Sequence, residues 1–330
     1  MSSDHRDAVA LVQPRTALIP HLLDEEVEAA RAYVAAARAP ATRRAYESDW
    51  KIFLAWCDAR SIEALPAAPE AVAIFLSAEA QAGGRPSTIG RRLAAIGYMH
   101  AQAGFDPPQQ CAGAVAIRNV VAGIRRTHGV KKVQKRAADG DMLRDMLRGC
   151  EGESVRAVRD RALLAIGMAA ALRRSELVAL AIDDVAITPD GLLITIRTSK
   201  TDQDGEGVTI AIPEGRRIRP KALLLAWIAC AGFGEGPVFR KLTPQGRITT
   251  KPMSDRGVAL VVKARAAAAG YDPALVSGHS LRAGFLTEAA RQGATVFKMK
   301  EVSRHKSLEI LSDYVRNHEL FRDHAGERFL

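Results

Sequence analysis

VRAVRDRALLAIGMAAALRRSELVAL, residues 155–180, reads as helix, and the three runs that follow it do not. Ala181–Thr188, Leu192–Arg197 and Gly207–Ile212 are short, rich in β-formers, and broken by PDG and DQDGEG. Runs bounded by such turn residues predict strands, and their closeness predicts a small antiparallel sheet inside an otherwise helical domain. Upstream, DMLRDMLRGC (141–150) is a further helix. Downstream, helical spacing returns over Pro220–Ala231 and Ser254–Ala269, and three short helices are expected within Ser280–Asn317.

The N-terminal part has a different character. Residues 24–127 form successive helices punctuated by Pro and Gly, with apolar residues at three- and four-residue steps. A helix over Thr42–Ala59 puts Tyr46, Trp50, Phe53, Leu54 and Cys57 on one stripe and Arg43, Arg44 and Lys51 off it. Another opens at Ser87 or Thr88 and carries Arg91 and Arg92. Each basic pair fits DNA contact or a solvated helix face equally well. RRTHGVKKVQKR (125–136) then brings Arg125, Arg126, Lys131 and Lys132 together without an acid. This linker either lies along a phosphate backbone or is an exposed hinge, and the sequence leaves both open.

A chain of 330 residues is long for one core, since single cores stop growing at roughly 250 to 300 residues. The expected organisation is a flexible tail (1–23), a helical domain (24–127), a basic linker (128–136) and a second domain (137–330). The fold class is mainly α: an all-helical N-terminal domain plus a mixed α+β domain with a small antiparallel sheet.

The formal net charge of +10 favours a polyanionic partner, because clustered Lys and Arg release condensed counterions from phosphates. Nucleic acid comes first and an anionic membrane surface second. No apolar run approaches the roughly 20 residues that span a bilayer, and the first residues lack a secretory pattern. A cytoplasmic, nucleoid-associated protein is expected. Cys57, Cys111, Cys150 and Cys230 are scattered with no CxxC pair, which suits reduced core residues better than disulfides or a metal site.

Four local patterns carry chemistry. In Leu172-Arg173-Arg174-Ser175-Glu176-Leu177, Arg173 and Glu176 share a helix face, so the carboxylate can hold the guanidinium, as in any surface ion pair. Lys200, in IRTSKTDQDGEGVTI, sits at the tip of the hairpin expected between the second and third strands. Most lysines in such turns are merely solvated. Ser277-Gly278-His279-Ser280-Leu281-Arg282 puts His279 and Arg282 on one face at a helix amino end, where the dipole favours an anion. Finally, Ser303-Arg304-His305-Lys306 precedes Tyr314 in LSDYVRN; alone, a tyrosine at helical spacing from Leu311 reads as packing.

Together, Arg173, Lys200, His279-x-x-Arg282, His305 and Tyr314 have the order and approximate spacing of the tyrosine recombinase, or phage integrase, family, which most of the chain resembles. LITIRTSKT, SGHSLRAG and DYVRN are most similar to its Cre-like members. Two departures stand out: His305 replaces a tryptophan found in some members, and Arg174 stands where many have an apolar residue. The resemblance implies a core-binding domain and a catalytic domain forming a clamp around DNA. It also implies a site-specific recombinase that cleaves and rejoins strands through a 3′-phosphotyrosyl intermediate.

The roles implied suit these residue types. Arg173 and Arg282 would satisfy the non-bridging oxygens, where transition-state charge builds. Tyr314, a phenol of pKa about 10, would attack with help from His279. Lys200 would protonate the leaving 5′ oxygen, His305 would donate to the phosphate, and Glu176 would orient its neighbours. A phosphotyrosyl link conserves the energy of the broken bond, so no cofactor and no metal are expected. The implied partners are double-stranded DNA carrying a specific site, a homotetramer on two sites (a dimer per site) and accessory DNA-binding proteins, with no membrane. The rivals are a type IB topoisomerase-like nicking-closing enzyme and a catalytically silent DNA-binding protein of the same fold.

Overall fold

The computed structural model describes residues 24–129, 135–150, 152–197, 207–305 and 307–318. The chain divides into two compact units, Met1–Lys132 and Val133–Leu330.

Among the described residues, the α-helices of the first unit are α1 (Asp24–Ala36), α2 (Pro40–Asp58), α3 (Pro69–Gln81), α4 (Pro86–Gln102) and α5 (Ala114–His128). Prolines open α2, α3 and α4, where a ring fixes φ and the missing N–H is no loss. Phe53, Phe75, Leu76, Ile89, Ile96 and Ile117 close the core, with Phe53 and Phe75 packed edge to face at 5.0 Å. The Thr42–Ala59 stripe is therefore the buried one. Asp49, within it, is also buried, and it is neutralised across the α2–α4 contact by Arg91, whose Nε and Nη2 donate at 2.6 and 3.0 Å.

In the second unit α6 (Gly140–Arg148) precedes α7 (Val155–Ala169), the apolar helix the sequence announces. Residues from Ala157 to Met168 are almost all buried, so α7 is surrounded, packing against α9 (Pro220–Ala231), α11 (Ser280–Arg291), α6, the short α8 (Arg174–Ala179) and α10 (Asp255–Ala268). Gly167 permits part of this: a Cβ there would lie 2.8 Å from Leu281 of α11 and 3.2 Å from Leu177 of α8. The sheet is antiparallel in the order β1 (Val185–Ile187), β2 (Gly191–Ile196), β3 (Val208–Pro213), with Ile194, Ile196, Ile210 and Ile212 facing inward. Helices α12 (Val296–Ser303) and α13 (Leu308–His318) follow α11.

Two expectations need correction. The run Ala181–Thr188 is strand only over β1, because Ile182–Asp184 form a 3-10 turn in which the Asp184 carboxylate accepts the Ala181 amide at 2.9 Å. A second hairpin, β4 (Arg240–Leu242) and β5 (Ile248–Pro252), arises where the sequence pattern predicts no strand. Its strands are too short and too polar for alternation to show.

Asp160 is the buried polar centre of α7. It accepts from Arg159 at 3.0 and 2.7 Å and from Arg265 of α10 at 2.8 and 2.7 Å. Asp160→Ala strands a buried guanidinium and should destabilise the protein by about 3–5 kcal/mol in denaturant unfolding.

Candidate active site

The turn between α7 and α8 sets the first group in place. Arg173 caps α8, and Glu176, three residues on, reaches back: its Oε2 accepts the Arg173 amide at 2.8 Å and its Oε1 accepts Nη1 at 2.5 Å. Glu176 is 5% exposed. Burial alone would raise its pKa, but the Arg173 amide and the Arg304 and Arg173 guanidiniums outweigh it and hold the carboxyl below the usual range.

Helix α11 supplies the second group. His279 is its amino cap and Arg282 lies on its first turn. The Arg174 stem lies over Gly278, where any side chain would collide with it, so this glycine joins the LRRSEL and SGHSLR segments. Arg282 is 1% exposed; its Nη1 donates to the Ala171 carbonyl at 2.6 Å and its Nη2 to the Ser303 carbonyl. Burial, then the charges of Arg173 and Arg304, lower its pKa to about 9, so it remains a cation at neutral pH.

The α12–α13 connection supplies the third. His305 lies 3.2 Å (Nδ1) from the Arg282 Nη2, and the same ring nitrogen is 2.9 Å from the Ser303 hydroxyl. Burial and the cations Arg282 and Arg173 push His305 down to about 4. His279 opens to solvent, yet partial desolvation followed by Arg282, Arg173 and Arg174 lowers its pKa as well. Both imidazoles are neutral at pH 7. Tyr314, on α13, packs with Leu286, Ala290, Met299 and Leu311; burial raises its phenol pKa and the Arg282 charge draws it down.

Five of the six polar groups singled out as catalytic are therefore electrostatically linked in one cluster, together with Glu176. The sixth, Lys200, falls outside the described residues, in the connection between the paired Ile196 and Val208. Lys131 and Lys132 also fall outside them. Arg44, Arg125 and Arg126 are exposed and Arg43 is half-buried. Arg91 is tied to Asp49, and Arg92 pairs with Glu79 and lies 3.6 Å from Asp49. Two participants escape the sequence reading: Ser303, and Arg304, which is quoted there only as His305's neighbour. Only their tertiary partners mark them.

The charge balance is the main chemical property of the site. Three guanidiniums, of Arg173, Arg282 and Arg304, gather around the Glu176 carboxylate, leaving a partly desolvated excess of positive charge that an anion with several acceptor oxygens would satisfy. The same excess has a cost at low pH. Unfolded histidine titrates near 6.5 and folded His305 near 4, so stability is present above 6.5 and is lost as pH falls between the two. Denaturant unfolding at pH 7 and pH 5 should show a wild-type loss about 1 kcal/mol larger than that of His305→Asn, after allowance for the partly exposed ring.

The phage integrase family model matches residues 138–320. An integrase/recombinase XerD homolog from Selenomonas ruminantium is 34% identical over 293 residues, covering 88% of this chain and 86% of the relative. Among solved structures, the Tn1549 transposon integrase in complex with transposon right end DNA aligns with a TM-score of 0.61 at 14% identity, over 88% of this chain and 93% of that one. The XerH site-specific recombinase bound to a palindromic difH substrate aligns at 0.57 with 16% identity, over 77% and 70%. At such low identity these two likenesses speak for the fold alone. The family match over more than half the chain and the relative covering most of it agree with the clustered groups, and the chain belongs to the phage integrase family of tyrosine recombinases.

Proposed function

We propose that this recombinase acts on double-stranded DNA at a specific site and joins the cut 3′ end to Tyr314. The observation that carries this reading is Arg282: a buried cation locked by the Ala171 and Ser303 carbonyls, beside His305 and electrostatically linked to the Tyr314 phenol. A phosphodiester placed there would supply the anion that the cluster lacks.

In this mechanism the Tyr314 oxygen attacks phosphorus, the bond to the 5′ oxygen breaks, and the phenol proton passes toward His279. That imidazole is neutral and able to accept it. Arg173 and Arg282 hold the non-bridging oxygens as charge accumulates, and His305 donates a hydrogen bond. Its Nδ1 lies 2.9 Å from the Ser303 hydroxyl and its Nε2 3.4 Å from the Arg282 Nη2, so the ring stands beside the guanidinium that would hold the phosphate. Lys200 gives a proton to the departing 5′ oxygen, which leaves as a hydroxyl. Rejoining reverses each transfer with a second 5′ hydroxyl, so the step consumes neither nucleotide nor metal.

The unit of residues 24–127 is proposed to bind the duplex as the core-binding domain, with 128–136 the basic linker and 137–330 the catalytic domain. Arg43, Arg44, Arg125, Arg126, Lys131 and Lys132 would contact phosphates, and Arg91 and Arg92 would do so only from within their pairs with Asp49 and Glu79. Assembly as a dimer per site and a tetramer on two sites completes the exchange, with accessory DNA-binding proteins as further partners.

On a nicked suicide duplex carrying the true site, wild type should form a covalent adduct. Tyr314→Phe should bind with unchanged affinity and form none, since only the hydroxyl is lost. Adduct from that variant would assign the attack to another residue. Relaxation of any supercoiled plasmid without recombination of site pairs would replace the recombinase by a nicking-closing enzyme. A 5′-sulfur leaving group should restore cleavage to Lys200→Ala, because a thiolate departs without a proton; failure of rescue would remove Lys200 from the acid role.

A further inference from the structure

Arg304 is the least explained group in the cluster. It ends α12 with φ 57 and ψ 40, a left-handed conformation that a non-glycine residue adopts at a cost. Its side chain is 7% exposed, an uncommon place for a guanidinium. There Nη2 donates to Glu176 Oε2 at 2.8 Å and lies 3.5 Å from the Ala171 carbonyl, while Nη1 donates to the Val302 carbonyl and lies 3.4 Å from that of Ala170. Its Nε is buried without a hydrogen-bond partner. Ala171 is itself left-handed, with φ 46, and its carbonyl is the one that Arg282 binds. Two unfavourable backbone conformations thus meet at one guanidinium, which ties the α7–α8 turn, the Glu176 carboxylate and the His305 segment together.

We propose that Arg304 is a positioning residue for strand cleavage: by holding Glu176 and the Ala170–Ala171 turn, it fixes the geometry of Arg173 and Arg282 around the phosphate. This rests on the reading of the cluster as the cleavage site. Glu176 has two oxygens, and Arg304 shares with the Arg173 amide the one that does not take the Arg173 guanidinium. Without Arg304 the carboxylate and the turn are free to shift, and a misplacement on the order of 1 Å can cost a hundredfold in rate. Its charge also bears on His305 and Arg282, helping to keep the imidazole neutral.

The test is single-turnover cleavage of the suicide duplex by Arg304→Gly. Glycine accepts the left-handed backbone freely, so the substitution removes the guanidinium without adding strain. DNA affinity is expected to stay near wild type while the cleavage rate falls roughly ten- to a hundredfold. The His305 titration, followed by NMR, should move to higher pH, because its imidazole loses one neighbouring cation. Added guanidinium ion should restore part of the rate, and Arg304→Lys, which keeps the charge without the fork, should fall between the two. Cleavage within about threefold of wild type, or a loss that matches lost DNA affinity with an unmoved His305 titration, overturns the proposal. Should Arg304→Gly not fold, a wild-type rate in Arg304→Lys overturns it equally. If wild type itself forms no adduct on this duplex, the cleavage reading fails, which is distinct from an active wild type matched by its variants.

Discussion

The Glu176 carboxylate is the point on which the second unit's chemistry depends. It sits at the amino end of a six-residue helix, buried, and is bound by the Arg173 amide and guanidinium and by Arg304. Taken alone, a buried ion pair gives little net stability, since desolvation offsets most of the attraction. Its value here is geometric: guanidiniums anchored to a fixed anion cannot rotate away from a shared focus. One carboxylate among three arginines also leaves positive charge unanswered, and that residue of charge is what makes the cluster a receptor for an anion.

The same charge sets the protonation states around it. His305 and His279 both lie near several cations, which favour the neutral imidazole at each. Tyr314 experiences opposing effects, since packing against Leu286 and Met299 disfavours phenolate and Arg282 favours it. A bound phosphodiester would cancel part of the arginine charge. It would also raise the imidazole pKa values toward the range where proton transfer at neutral pH is efficient.

Rigidity beneath the cluster comes from α7. It is almost wholly buried, and Gly167 lets Leu177 of α8 and Leu281 of α11 pack closely against it. Gly278 acts similarly beneath the Arg174 stem. Within the cluster, Ala171 and Arg304 carry left-handed backbone, both at element ends and both hydrogen-bonded to its other members, as is usual where function constrains the backbone.

Sequence alone determined the helical first unit, the enclosed α7, the central strands, and the residue types at Arg173, His279, Arg282, His305 and Tyr314, because periodicity and motif order are local properties of the chain. The bounds of α9 follow directly from its opening proline and closing glycine. Short, polar elements such as β4 and β5 were invisible, since five residues or fewer carry no readable period. The 3-10 turn at Ile182–Asp184 was missed because a side-chain oxygen, not backbone propensity, directs it. Only the tertiary structure decided that Arg91 and Arg92 turn toward Asp49 and Glu79, and that Arg304 belongs to the cluster. Charged side chains choose their partners by through-space distance, and residues 128 positions apart, as Arg304 and Glu176 are, leave no mark of that choice in the order of the letters.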